Sequence, residues 1–420
     1  MSEKLSLRLI CLLLFPFTLL SLLPVNAQRH EIYSSRIATL QVVAGDDWLS
    51  PPVTTLGGQP VYISFDDLTH EYHRYTYTLE HCEADWRTSE ELLVSDFCEG
   101  FAEGNTIDDL EESINTNQLY THYTFSLPNE KCRFKLSGNY RVTVYDENND
   151  NEPMFSACFM VVEPRMGVSL SVTTNTDRDI NGRHQQVAMQ LNYGNVTVTD
   201  PERQFTTVVM QNGRRDNAVV NAKPQYVMYD GLRWEHNPQY IFDGGNEYHK
   251  FETLDVSHTT LGLESIRWDG TNYHAFLWTD VPRPSYVYDE DANGAFYIRN
   301  SDNFENDRTT EYVLVHFTLK SPRYDGSVYL DANWTLNQFT PQYELQYNDQ
   351  LQAYETVLPL KQGYYSYQYL LVTPDGRTQP VPTEGNFFQT ENQYQALIYF
   401  RPPGGRTDQL VAYTQLNAKP

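Results

Sequence analysis

A period of two constrains this sequence more than any other feature. Val61-Tyr62-Ile63-Ser64-Phe65 alternates apolar and polar residues, as do residues 72–79 and Tyr140-Arg141-Val142-Thr143-Val144-Tyr145. Successive side chains of an extended chain point to opposite faces, so these runs read as strands with one face in a core. Clusters of Gly, Asn, Asp and Pro bound them, and short strands at such spacing imply antiparallel sandwiches. No sustained helical stripe competes; the best helix candidate is short, with Ile107, Leu110 and Ile114 on one face and one to two turns at most over 107–114.

Punctuation divides the pattern into blocks. A strand at 155–162 ends at Glu163-Pro164, where proline removes a ladder donor and disfavours helix before it. A second set of strands runs over 168–297, with turns at Asn181-Gly182, Gln211-Asn212-Gly213 and Asn293-Gly294. Asn-Gly suits hairpins because both central positions of a type I′ turn need positive φ. A third set starts at Tyr312-Val313-Leu314-Val315-His316-Phe317 and includes 328–330, 354–360, 364–371 and 394–400. The expected architecture is all-β: three serial immunoglobulin-like sandwiches at 28–164, 165–308 and 309–420.

Residues 1–27 read as a cleaved signal peptide. Lys4 and Arg8 precede an apolar stretch at 9–23 broken by Pro16, and Val25-Asn26-Ala27 supplies small residues before Gln28. No later segment reaches the 18 or so apolar residues of a membrane span. Export permits disulfides, so Cys82, Cys98, Cys132 and Cys158 are expected to form at least one bridge; the sequence leaves all three complete pairings open. A formal charge of −25 without a basic run argues against nucleic acid as a partner.

Catalytic patterns are missing. The chain has no Gly-x-Ser-x-Gly, Walker A loop, His-Glu-x-x-His or Gly-x-Gly-x-x-Gly. A non-enzyme without cofactor or metal is therefore expected. Asp177-Arg178-Asp179-Ile180-Asn181-Gly182 and Asp289-Glu290-Asp291-Ala292-Asn293-Gly294 imitate the start of a calcium loop, but position 12 falls on Ala188 and Asn300 rather than an acid. Both read better as hairpin turns.

In the last block, 327–334 leads to Asn333-Trp334, and Gly363-Tyr364-Tyr365-Ser366-Tyr367 follows. The spacing resembles early-set domains near starch-binding modules, and glycan binding on exposed rings is the alternative function. Tyr365, Tyr367 and Tyr369 share one face by alternation, so filling the sandwich is the plainer reading.

A resemblance spans about residues 35–415. It rests on Tyr77-Thr78-Leu79-Glu80-His81-Cys82-Glu83-Ala84-Asp85-Trp86, Ser113-Ile114-Asn115-Thr116, Tyr120-Thr121-His122-Tyr123, Leu127-Pro128-Asn129 and Ser137-Gly138-Asn139-Tyr140 in the first block. Phe159-Met160-Val161-Val162-Glu163 closes that block. Gln211-Asn212-Gly213-Arg214-Arg215-Asp216 and Gly244-Gly245-Asn246-Glu247-Tyr248 follow in the second. The third carries Leu360-Lys361-Gln362-Gly363-Tyr364, Glu384-Gly385-Asn386-Phe387-Phe388, Thr390-Glu391-Asn392 and Arg406-Thr407-Asp408-Gln409-Leu410. In this order the segments resemble the plug proteins of the type IX secretion system of Bacteroidota. The chain departs from the family pattern at Tyr248-His249, in place of Phe-Arg, and at Thr407, in place of Tyr.

The resemblance implies a non-catalytic periplasmic protein at the inner face of the outer membrane. Its partner would be the outer-membrane translocon barrel, whose periplasmic mouth it closes. Large, stiff aromatics suit such an interface, and Trp86 and Trp334 are the candidate anchors.

Overall fold

The computed structural model describes residues 30–419. Strands make up 47% of the chain and helix 5%. The expected signal peptide lies outside the described residues. Among the described residues no helix is long and apolar enough to cross a membrane.

The first domain packs two sheets face to face. One is built on the antiparallel run of Tyr75–Cys82, Gly138–Asp146 and Glu152–Val162. The other orders Ile37–Ala44, Val61–Asp67, Thr121–Leu127 and Asp109–Glu112. Inward positions supply Phe65, Tyr75, Tyr123 and Phe155, all fully buried, with Phe65 and Tyr123 stacked at 5.3 Å. The helix expected over 107–114 is instead the edge strand Asp109–Glu112, paired to Thr121–Leu127. Its apolar spacing fits a helix, but pairing places Leu110 opposite Tyr123, and the core takes Ile107 while Ile114 stays exposed.

The middle domain opens with the sheet of Gly167–Thr173, His184–Asn192 and Gly231–Trp234. Its second sheet is completed from the far end of the chain. Phe205–Gln211 pairs with Asn392–Phe400, which pairs with Gln409–Ala418. The third domain, from His249–Thr253 to Thr378–Pro380, is therefore inserted into the middle one. This corrects the expected limits of 165–308 and 309–420: the last two long strands bury Tyr394, Ala396, Ile398 and Phe400 against Val209 and Trp234 of the middle core.

The third domain is one ten-stranded sheet wrapped about its own core, with Gly363–Val372 as a central strand. Trp334 donates Nε1–H to the Ser366 carbonyl at 2.9 Å and packs against Phe317 and Tyr365. Tyr367 and Tyr369 donate their hydroxyls to Asp280 at 2.9 and 2.7 Å. Trp334 is 8% exposed and the three tyrosines at most 2%, so none of these four rings offers a platform for sugars.

Candidate functional site

The three domains meet pairwise at three junctions, and the segments that carried the family resemblance converge there.

Between the first and middle domains, Cys82, Ala84, Trp86 and Met160 form a buried cluster with Met210, Leu397, Tyr399 and Leu410. A polar rim surrounds it. Arg401 donates to Glu83 at 2.5 Å and to Asp408 at 2.9 Å, and the Tyr399 hydroxyl donates to Asn139 at 2.8 Å. His81 Nδ1 meets Ser89 Oγ at 2.9 Å, which meets Thr407 Oγ1 at 3.0 Å. Burial pulls His81 down to about 4, so its ring is neutral at pH 7. Gly138, at φ +148°, lets this ring approach: a Cβ would lie 2.3 Å from its Nε2.

Between the first and third domains, a buried ion pair does the joining. Asp66, fully buried on Val61–Asp67, meets Lys361 Nζ at 2.7 Å. It also accepts from Tyr312 Oη at 2.6 Å and lies 2.6 Å from His122 Nδ1. Burial alone would raise this carboxyl, but Lys361 and His122 hold it below its ordinary value. Burial in turn lowers the Lys361 ammonium, against the pull of Asp66. Nearby, Tyr120 donates its hydroxyl to the Thr310 carbonyl at 2.8 Å, and Gln118 N–H to Glu311 at 3.1 Å.

At the root of the inserted third domain, the segment 244–248 that enters it lies along 384–392, which leaves it. Asn246 donates to the Glu384 carbonyl at 2.7 Å, Asn386 accepts from Gly245 N–H at 2.9 Å, and Asn392 donates to the Gly244 carbonyl at 2.8 Å. His249 sits 3.0 Å from Asp280 and 2.6 Å from Glu384. Burial disfavours its cation, yet the two carboxylates raise it to about 9. The two carboxylates thus favour the protonated ring at pH 7. In the 211–216 turn, Arg214 pairs with Asp216 at 2.6 Å and approaches Asp331 at 3.8 Å.

The junctions enclose a cleft of about 780 Å³ to which all three domains contribute, among others through Leu40, Trp48, Met160, Arg215, Leu336 and Phe339. Its chemistry is amide-rich and apolar. No group of three or more His, Cys, Asp and Glu side chains that could hold a metal occurs among the described residues. In the loops that imitate calcium sites the acids have protein partners: Asp179 with His184 at 2.6 Å, Asp289 with Lys250 at 2.6 Å, and Asp291 with the N–H of Asn293 at 2.7 Å.

Residues 37–163 match the family model described as the type 9 secretion system plug protein first domain. The chain belongs to the type IX secretion system plug family. That family is a secretion-system component and not a known enzyme family. A crystal structure of a hypothetical protein from Parabacteroides merdae ATCC 43184 is 39% identical, covering 93% of this chain and all of that one, with a TM-score of 0.90. No curated protein matches the chain.

The structure moves both candidate anchors inside this plug-family chain. Trp86 is 2% exposed in the first junction, under the Arg215 guanidinium at 5.6 Å, and Trp334 lies in the third core. Neither ring faces outward. The cysteines separate into two situations. Cys98 and Cys132 sit on neighbouring strands with their sulfurs 2.8 Å apart. Cys82 and Cys158 lie on strands divided by Gly138–Asp146, two strand spacings or about 9.6 Å apart, beyond the reach of a disulfide. Sequence reasoning did not name Asp66, and named Glu83, Arg215 and Lys361 only as members of matched segments and His249 only as a departure from the pattern. Their signal was a charge at the end of an alternating run or inside a matched segment.

Proposed function

We propose that this chain is the plug subunit that closes the periplasmic mouth of the outer-membrane translocon barrel of the type IX secretion system. What supports the reading is the plug-family first domain set in a body whose domains are locked by buried ionic and polar junctions. Obstruction needs no reaction. It needs a shape that solvent flow and thermal motion do not deform, and three sandwiches free to swing on linkers would not keep one. Here Asp66–Lys361 and His249–Glu384 are buried charges that are costly to separate, because an ionised side chain removed from its buried partner loses that partner while remaining desolvated, and the first–middle junction buries an apolar cluster.

Deleting the gene tests the proposal. Uptake of a large hydrophilic antibiotic should rise in the deletion strain while secretion continues, because the unoccupied barrel then stands open. Unchanged permeability with an assembled translocon contradicts occlusion. Co-isolation of the tagged protein with a very large outer-membrane barrel in mild detergent is the second expected result, and recovery only as a monomer argues against it.

A further inference from the structure

The cleft shared by the three domains has an open strand edge on one wall and a cation without an acceptor on another. Ile37–Ala44 is the edge strand of its sheet, bonded on one side to Val61–Asp67. Gly45 N–H bonds the Pro60 carbonyl directly opposite at 2.9 Å. Hydrogen-bonded pairs recur every second residue in an antiparallel ladder, so Val43 with Tyr62 and Gln41 with Ser64 are the bonded ones. Val42 therefore points its N–H and C=O away from the sheet, as Ala44 does its N–H. Nothing among the described residues pairs with them, and Val42 lines the cleft.

Arg215 lines the same cleft. Its neighbour Arg214 has two carboxylates, whereas among the described residues Arg215 has no ion pair and its buried Nη2 no hydrogen-bond partner. In a chain of net charge −25, a guanidinium kept from every internal acid is notable. Leaving such a donor unsatisfied is costly, and an incoming carboxylate would remove that cost.

We propose that the cleft binds an extended peptide segment of a partner protein, which adds as a strand to the Val42 edge and places an acidic side chain on Arg215. Main-chain bonds give such a complex its affinity, and the charged contact selects the sequence. The volume of about 780 Å³ suits a short segment and not a folded domain. Because all three domains line the cleft, an occupant would bridge them. The inference goes beyond occlusion and does not depend on it.

The test uses the mature chain and two blocked heptapeptides alternating Thr and Val, one with a central Asp and one with Asn there, with binding measured by calorimetry. The Asp peptide should bind at least tenfold more tightly. Arg215→Met, which keeps an apolar stem over Trp86, should erase that difference and leave the Asn peptide unchanged. Val42→Pro removes the outward N–H, at an edge position where proline is tolerated, and should weaken both peptides at least tenfold. Equal binding of the two peptides, absence of binding at millimolar concentration, or an unaffected Val42→Pro variant overturns the proposal. If Arg215→Met fails to fold by circular dichroism, the comparison of peptides on the wild-type chain and Val42→Pro decide it.

Discussion

Lys361→Met is the sharpest single test of the locked body. The substitution keeps a long apolar stem and removes the ammonium that faces Asp66 at 2.7 Å, where the side chains are 1% and 0% exposed. The bare Coulomb attraction at that distance is roughly 6 kcal/mol at an effective dielectric of 20. Breaking a buried pair from one side is observed to cost about 3–5 kcal/mol. Asp66 retains Tyr312 and His122, which places the expected loss near the lower end, at about 3 kcal/mol. The cost should fall on the first–third junction, since Lys361 also donates to the Asp307 carbonyl and lies 4.1 Å from the Tyr120 ring. Urea unfolding followed by fluorescence should show an earlier transition. Hydrogen exchange should locate the first loss of protection in Tyr312–Lys320 and Val61–Asp67. The double variant Asp66→Asn/Lys361→Met should recover at least half of the loss, because no uncompensated charge remains. A cost under about 1 kcal/mol for Lys361→Met, or a double variant as unstable as the sum of the singles, refutes the reasoning.

Three further outcomes follow from the junctions. His81, held down to about 4 by burial, contributes stability that is complete above its unfolded value near 6.5 and is lost as pH falls from there toward 4; the urea midpoint should drop over that window, less steeply in His81→Asn. His249, raised to about 9, has the opposite sign: its contribution is complete below pH 6.5 and lost as pH climbs to 9, and His249→Gln should flatten that alkaline decline. Cys98 and Cys132 should be the pair that bridges in exported protein, so that labelling of the urea-unfolded chain modifies two of the four cysteines before reduction and all four after; closing a separation of 34 residues is worth about 3.7 kcal/mol in the chain-entropy account, and four labelled cysteines without reductant refute it.

Individual strands were legible because alternation is local. Val61–Asp67, Gly138–Asp146 and Gly363–Val372 all fall on runs visible in the sequence. Asp109–Glu112 was not, since three apolar residues over eight positions satisfy a helix and a short edge strand alike. The return of Asn392–Phe400 to Phe205–Gln211 could not be read either: pairing across more than 180 residues leaves no periodic trace. Likewise the matched segments were visible one by one, but nothing in their spacing says that Glu83 meets Arg401 or that Asp66 meets Lys361. Trp86 misled for a related reason. A large, stiff aromatic reads as an interface anchor, and only the neighbouring domain shows what covers it.

The inserted third domain imposes an order of events on a chain synthesised from its N-terminus. Phe205–Gln211 emerges early, yet its main partner is Asn392–Phe400, which itself is bonded to Gln409–Ala418 at the very end. Until those residues arrive the middle domain has half a core and an unpaired edge, while the first and third domains already hold their own strands. Such delayed, long-range pairing is slow and prone to aggregation. A chain broken off before Asn392 would therefore be not a trimmed protein but one with an open seam in its centre, a natural target for proteolysis.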